Sequence, residues 1–341
     1  MDDLTMMQLA YQAAQQADPA ATWENPRVGA VIVKDGAVIA TGYHHQFGHQ
    51  HAEVAAMNQV EHQADLVGAT MYVTLEPCAH VGKVGACADA LVAAKLGRVV
   101  IGQGDPNPHV SGRGVAKLQQ AGIAVTLLNQ QGSTALNPAF HHFFETQRPY
   151  VTLKLAQSID GFIAAKRGQA TKLTDDQANV AIHQQRAQMS AIMVGSETAL
   201  TDAPQLTVRH VPITHQQPWR VIVDRRGRLQ KHPAFFDDRT LIYTTNTTFA
   251  QQVPQAVFFD GELGSLLDDL GQRGIQSLLV EGGGALVRAF LATNLWQRFD
   301  IYQTDAVLGT GIKGVVGNQG PVATQTRVGN ALHQVIYREA K

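Results

Sequence analysis

Cysteine is almost missing: Cys78 and Cys87 are the two in 341 residues. A secreted scaffold framed by disulfides is thereby excluded, and reduced thiols fit a cytoplasmic chain. An excess of one charge is missing as well, with 27 Lys and Arg against 28 Asp and Glu and a net charge of −1. Nothing in that balance points to nucleic acid or a membrane surface. Aromatic residues make up 6%, and no basic, aromatic-rich strip for RNA stands out. No apolar run nears the roughly 20 residues that span a bilayer. The opening MDDLTMMQLAYQ is acidic and amphipathic, where a signal peptide is basic and then apolar.

What is present is a 45% hydrophobic chain, long enough for two separate cores. Charge is uneven along it. Residues 1–147 carry 7 Lys and Arg against 12 Asp and Glu, a balance of −5, and the remainder carries 20 against 16, or +4. The second half is the better suited to a polyanionic ligand.

Both cysteines fall in one chemically dense stretch. It reads His51-Ala52-Glu53 and then TLEPCAHVGKVGAC from Thr74 to Cys87. A hydrolytic zinc takes three imidazole or thiolate ligands and keeps a fourth position open. His51, Cys78 and Cys87 fit that set. Glu53 is too near His51 in sequence for a comfortable fourth ligand. A carboxylate there can instead move a proton from water to a departing amine. Both cysteines are expected near helix starts, which favour thiolate. On residue type alone, two cysteines can also be small buried hydrophobes. The H-x-E and P-C arrangement is that of zinc deaminases, whose nucleobase members use C-x-x-C. Here eight residues separate the cysteines.

Periodicity predicts a helix over 4–17, a hairpin of strands 28–33 and 37–43 around Asp35-Gly36, and a helix from His51 to about His62. Strands over 71–75, 98–102 and 125–128 alternate with helices from Cys87 and over 114–121. This gives one mixed sheet with helices on both faces. A junction is expected from Leu136-Asn137-Pro138 to Arg148-Pro149-Tyr150. Beyond it, strands over 151–156, 191–195, 219–224, 240–244 and 277–281 alternate with helices over 175–188, 263–272 and 285–291. Gly282, Gly283 and Gly284 between a strand and a helix form a phosphate cradle in principle. Tight strand-to-helix packing would also require them.

The loop CAHVGKVGAC resembles the deaminase half of the bifunctional riboflavin-biosynthesis deaminase/reductase family. Asn25-Pro26-Arg27-Val28-Gly29, Asp105-Pro106-Asn107-Pro108 and Gly112-Arg113-Gly114 match further segments of that half. Lys154-Leu155-Ala156, Ser158-Ile159-Asp160-Gly161, Val194-Gly195, Thr198, Asp202, Leu206-Thr207-Val208-Arg209 and Val280-Glu281-Gly282-Gly283 resemble its reductase half in the same order. The resemblance implies an α/β protein of two domains. Residues 1–147 would be a cytidine-deaminase-like α/β/α sheet holding one zinc, and residues 148–341 a dihydrofolate-reductase-like domain using NADPH. It further implies zinc ligands His51, Cys78 and Cys87, Glu53 as the proton shuttle, and Asn25 and Lys83 as substrate contacts. Ala156, Thr198, Asp202 and Gly282 to Gly284 would touch NADPH. Arg186, Leu206, Arg209 and Glu281 would touch the pyrimidine ribosyl phosphate substrate. His44, His45 and His49 are read as neighbours of the site and not as ligands. A cytoplasmic homo-oligomer is expected, with no nucleic-acid or membrane partner.

This chain departs from the family at several positions. Ala170 and Lys172 stand where a serine and a tryptophan are usual, Ala203 replaces a second aspartate, and Arg225 stands where serine is common beside the cofactor. Two other readings remain. One is a nucleoside or tRNA-adenosine deaminase joined to an unrelated nucleotide-binding domain, which the longer cysteine spacing disfavours. The other is a structural zinc with a sensor domain, which would want four protein ligands.

Overall fold

The computed structural model describes residues 2–79, 85–213, 215–315 and 320–338, in two units, Met1–Thr146 and Gln147–Lys341. In the first, the Asp2 carboxylate accepts the Thr5 amide at 2.9 Å and starts helix α1 (Asp3–Gln15). Helix α2 (Pro19–Thr22) follows with proline at its first position. Strands β1 (Gly29–Lys34) and β2 (Ala37–Tyr43) form the expected hairpin. Asp35 and Gly36 both take positive φ, 48° and 80°, as a two-residue turn between right-twisted strands requires. The unit continues with α3 (Ala52–Met57), β3 (Thr70–Leu75), α4 (Cys87–Ala93), β4 (Arg98–Gln103), α5 (Arg113–Gln120), β5 (Ala124–Leu127), α6 (Gly132–Leu136) and α7 (Pro138–Thr146).

Its sheet runs β2-β1-β3-β4-β5, antiparallel as far as β3 and parallel beyond. Alternate residues of one strand serve two cores. Val31, Tyr72 and Val100 pack on Met6, Met7 and Ala10 of α1. Ile32, Val73, Val99 and Ile101 pack with Ala52, Ala56, Ala88, Leu91 and Leu118 on the other face. Two expectations change. Helix α3 stops at Met57 instead of running to His62, because the Gln63 side chain donates to the Met57 and Val60 carbonyls at 3.0 and 3.2 Å. The stretch read as a junction contains α7, with His141 and Phe143 buried.

The second unit comprises β6 (Tyr150–Gln157), β7 (Phe162–Ala164), α8 (Asp176–Arg186), β8 (Ala191–Gly195), α9 (Ser196–Asp202), β9 (Trp219–Val223), β10 (Thr240–Thr244), α10 (Thr247–Gln252), β11 (Ala256–Phe258), α11 (Leu263–Gln272), β12 (Ser277–Val280) and α12 (Gly284–Thr293). It closes with β13 (Arg298–Thr304), β14 (Ile312–Lys313), β15 (Val322–Val328) and β16 (Ala331–Tyr337). Among the described residues the main sheet runs β11-β10-β9-β8-β12-β6-β13-β16-β15. It is parallel from β11 to β13, and β16 and β15 are added antiparallel. Strands β8 and β12 are buried on both faces and read as continuous apolar runs, as central parallel strands do. The last strands are not legible from apolar pattern, since β15 is exposed along almost its whole length. Asp175 caps α8 and accepts the Asn330 amide at 2.8 Å, which ties the final hairpin to that helix.

Candidate active sites

His51 is the N-cap residue of α3, in extended backbone, so Glu53 falls in the first turn. Gly42 lets that helix lie close on β2: a Cβ there would meet the Ala56 nitrogen at 2.3 Å. Cys87 is the first residue of α4, as expected. Cys78 lies in irregular backbone after β3, not at a helix start of its own. Its sulfur reaches one in space by accepting the Cys87 amide at 3.3 Å. The His51 Nδ1 lies 3.2 Å from the Cys87 Sγ and 3.6 Å from the Cys78 Sγ. All three ligand atoms lie within 4.8 Å of one another. A tetrahedral ion with bonds of about 2.0–2.3 Å spaces its ligands at roughly this distance. One imidazole and two thiolates suit zinc with a fourth position left over.

Charge at this cluster is unbalanced. Burial pushes the Glu53 carboxyl above its usual range, with His51 opposing and Cys78 adding. Glu53 is 3% exposed. A hydrogen bond from the Cys87 thiol, with His51 and the Cys87 amide, holds the Cys78 thiol well below the usual range, and Cys87 is pushed up in turn. Cys78 raises His51 correspondingly.

Around the cluster, several side chains set positions. Asn25 reaches it through His44: the His44 Nδ1 lies 2.9 Å from the Gln50 carbonyl and its Nε2 lies 3.2 Å from the Asn25 Nδ2. Burial lowers the His44 pKa, so the ring is neutral, donates from Nδ1 and accepts at Nε2. The Asn25 carbonyl oxygen is left as its polar end. His44 packs edge-on to His51, with centroids 5.5 Å apart, as a neighbour outside the ligand cluster. Asn137 accepts the Arg27 amide at 2.7 Å and donates to the Arg27 carbonyl at 3.1 Å, clamping the segment that carries Asn25. Glu76, in the middle of TLEPC, binds the Gly112, Gly114 and Val115 amides at 3.0–3.2 Å and so caps α5. Gly114 is required there, since a Cβ would meet the Pro77 carbonyl oxygen at 2.0 Å. Neither role has a local sequence signal. Lys83, with His80 and Gly82, lies outside the described residues.

In the second unit, the ends of β8 and β12 meet. The Thr198 hydroxyl accepts the Gly283 amide at 3.2 Å, beside Gly282 and Gly284. Asp202 is exposed at the far end of α9, and Ala156 packs on β6 against the cluster of Ala178, Ile182 and Tyr302. Arg186 and Glu281 are brought together as a two-bond pair, both bonds 2.6 Å. Burial opposes both charges, and pairing outweighs it, so Glu281 falls below its usual range and Arg186 rises above. Arg186 also donates to the Thr207 carbonyl at 3.2 Å, and Arg209 donates to the Thr207 hydroxyl at 3.0 Å. The Leu206 side chain is buried in the core, at a φ of 50°. Lys172 is exposed and paired with Asp176 at 3.1 Å, near Ala170.

Two residues of this unit were not among the expected site residues, although Lys154 stands in the Lys154-Leu155-Ala156 segment quoted for the reductase half. His183 is buried, held neutral by burial and by Arg186, its pKa down to about 4, and its Nδ1 accepts the Arg209 amide at 3.1 Å. Lys154, opposite Asp300 on the neighbouring strand, makes no hydrogen bond or ion pair among the described residues. Burial lowers its pKa while Glu281 opposes. Its place in that segment, and a lysine inside the apolar run VTLKLA, are signals that could have marked it.

A zinc-type His/Cys/Cys cluster on a five-stranded mixed sheet, followed by a second, largely parallel sheet with a glycine loop after β12, is the arrangement of a metal-dependent deaminase joined to a nucleotide-dependent reductase. Residues 1–103 match the cytidine and deoxycytidylate deaminase zinc-binding region, and residues 149–336 match the RibD C-terminal domain. The riboflavin biosynthesis protein RibD of Actinobacillus pleuropneumoniae is 39% identical over 342 residues, covering 94% of this chain and 88% of that protein. A solved structure of Acinetobacter baumannii RibD superposes with a TM-score of 0.84 at 32% identity, covering 99% of both chains. The diaminohydroxyphosphoribosylaminopyrimidine deaminase/5-amino-6-(5-phosphoribosylamino)uracil reductase of Thermotoga maritima gives 0.80 at 32% identity, covering 98% of both. This chain belongs to the RibD family of bifunctional riboflavin-biosynthesis deaminase/reductases. Its cofactors are Zn2+ and NADPH. Among the described residues no helix is long and apolar enough to cross a membrane.

Proposed function

We propose that residues 1–147 remove the 2-amino group of 2,5-diamino-6-ribosylamino-4(3H)-pyrimidinone 5′-phosphate, and that residues 148–341 reduce the ribosyl side chain of the product to ribityl. The observation that carries this is the His51, Cys78 and Cys87 cluster with Glu53 buried two residues from its histidine. When bound, zinc supplies the Lewis acidity that makes water a nucleophile near neutral pH. Glu53 does the proton work: its raised pKa lets it accept a proton from water and return it to the departing amine. Asn25, steered by His44 and Asn137, offers its carbonyl oxygen to the pyrimidine edge. Lys83 is assigned to the same substrate.

In the second unit, NADPH when bound supplies the hydride. Ala156, Thr198, Asp202 and Gly282 to Gly284 are assigned to that cofactor. Arg186, Leu206, Arg209 and Glu281 are assigned to the ribosyl phosphate, with Lys154 as the cation left to neutralise it. The same reading places the enzyme in the cytoplasm as a homo-oligomer that engages neither nucleic acid nor membrane.

Glu53→Gln tests the first step. Zinc content measured by atomic absorption is expected to stay at one ion per chain, while ammonia release falls by at least about 10³-fold. Full deamination in that variant refutes the shuttle. Oxidation of NADPH that depends on the deaminated ribosylaminouracil phosphate tests the second step.

A further inference from the structure

We propose that His183 is a positioning residue for phosphate recognition in the second unit: its Nδ1 holds the Arg209 backbone so that the Arg209 guanidinium is preset for the ribosyl phosphate. The inference rests on the reading that Arg209 contacts that phosphate. Arg186 and Arg209 are not equivalent in this role. Arg186 makes two bonds of 2.6 Å to Glu281, so its charge is already answered within the protein. Arg209 is exposed, its side chain is tied to the Thr207 hydroxyl at 3.0 Å, and no carboxylate pairs with it among the described residues. It is the cation still open to a phosphate dianion, and the place of its backbone decides where that charge falls.

The backbone at 203–210 belongs to no helix or strand, so side chains from elsewhere must hold it. They do so residue by residue. Arg186 donates to the Thr207 carbonyl at 3.2 Å. Gln217 accepts the Val208 amide at 2.7 Å and donates to the Val208 carbonyl at 3.0 Å. His183 accepts the Arg209 amide at 3.1 Å. His183 and Arg186 stand three positions apart on one face of α8, so that helix grips residues 207 and 209 together. The imidazole is 4% exposed, and a buried polar ring needs a partner. With Nδ1 accepting, the neutral ring carries its proton on Nε2, which lies 3.4 Å from Arg186 Nη1, itself a donor. Two donors make no bond, so the Arg209 amide is the one hydrogen-bond partner of the ring among the described residues. His210 packs edge-on to the ring, with centroids 4.5 Å apart, and limits its rotation. Only a neutral ring can accept at Nδ1. Burial above all, then Arg186, Arg209 and His210, lower its pKa to about 4 against the pull of Glu281, so the bond is present throughout the neutral range. A backbone held before the ligand arrives spares the cost of ordering it on binding, a gain felt by a ligand that Arg209 can grasp.

Steady-state NADPH oxidation by the full-length protein tests this, with the deaminated ribosylaminouracil phosphate compared with its dephosphorylated form. His183→Leu removes the acceptor. It is expected to raise KM for the phosphorylated substrate by about 10-fold, with kcat and the Kd for NADPH each within about threefold, the latter showing that the unit is folded. For the dephosphorylated form kcat/KM should change by less than about twofold, so the preference for phosphate falls by about 10-fold. His183→Asn, whose Oδ1 can stand in for Nδ1, should recover most of that preference. His183→Gln, whose amide stands in for Nε2, should not, and it carries the same expectation as His183→Leu should the leucine variant fail to fold. Arg209→Ala should lower the preference at least as far, and adding His183→Leu to it should cost little more, because the two residues act as one. If the two effects add, if His183→Asn recovers nothing, or if both forms of the substrate weaken together, His183 only packs the helix and the proposal fails alone. If Arg209→Ala leaves the phosphate preference unchanged, the assignment of Arg209 to the phosphate fails and takes this proposal with it.

Discussion

Around His51, two sulfurs, an imidazole and a carboxylate are gathered from segments close in sequence, and the His/Cys/Cys set has no fourth protein ligand among the described residues. Around Glu281, the opposite has happened: Arg186 already answers the carboxylate with two bonds, and Lys154 stands near it without a hydrogen bond or ion pair among the described residues, its pKa lowered by burial. The first site is organised to be completed by a metal ion. The second is organised as a self-consistent pair that a ligand must join. Removing one member should therefore do different things in the two units.

The largest effect is expected at the metal cluster. Cys87→Ser, or chelation of the native protein, should lower deamination by at least about 10³-fold and leave NADPH oxidation within twofold. Parallel assays of ammonia release and NADPH absorbance check it. Equal loss of both activities would remove the contrast between the sites.

Arg186→Met should act through the partner it leaves behind. Glu281 would be a buried carboxylate with no cation bonded to it, a loss of about 3–5 kcal/mol in the stability of the second unit. Thermal unfolding of the single variant and of Arg186→Met/Glu281→Leu measures this. The double variant should recover much of the stability and none of the reduction. If it recovers nothing, the pair is not the self-balanced element described above.

Titration should sharpen the comparison, since the buried acids shift in opposite directions. Burial raises Asp105 to about 7, against an ordinary value near 3.8. The folded first unit thus keeps a proton that the unfolded chain has released between those values, and its stability falls as pH rises through that window. Glu281 is shifted down, so its contribution is present above the usual carboxylate range and is lost on acidification through its folded pKa. Asp105→Asn should flatten the pH dependence of the first unit's midpoint by an amount on the order of a few kcal/mol. An unchanged slope would show that Asp105 does not titrate in that window.

The smallest effect concerns a departure from the family. Ala203 ends α9 in left-handed backbone, at a φ of 40° and ψ of 50°. Aspartate and asparagine tolerate this conformation, glycine adopts it freely, and alanine is strained in it. Ala203→Gly should stabilise the second unit by about 0.5–1 kcal/mol, or roughly 2–4 °C in Tm by calorimetry. A fall in Tm would contradict the strain.

The metal cluster could be read in advance because its atoms come from residues whose type and spacing are rare in combination. The hairpin could be read because Asp35-Gly36 is one of the few pairs that accept positive φ twice. The central strands of both sheets announce themselves as unbroken apolar runs. The rest depends on tertiary contacts that leave no local trace. Asn137 meets Arg27 across 110 positions, Arg186 meets Glu281 across 95, and Glu76 meets Gly114 across 38. The glutamate of TLEPC is a helix cap in space, a role that nothing beside it in the sequence announces. At the C-terminal end, β15 alternates nothing, so its pairing with β16 has no hydrophobic period to reveal it.

Asn137 also bears on how far this catalyst can be trimmed or transplanted. The zinc-binding family match ends at residue 103, and every candidate metal ligand lies within it. Asn137 lies beyond it, at the corner between α6 and α7. A chain shortened to the match would keep the metal-binding residues and lose the amide that holds the Arg27 backbone on both sides. Such a fragment would also lose α5, whose Leu118 packs in the core with Ala52 and Ala56 and whose first amides Glu76 binds. A shortened or transplanted form of this deaminase would therefore have to carry residues 104–146 along.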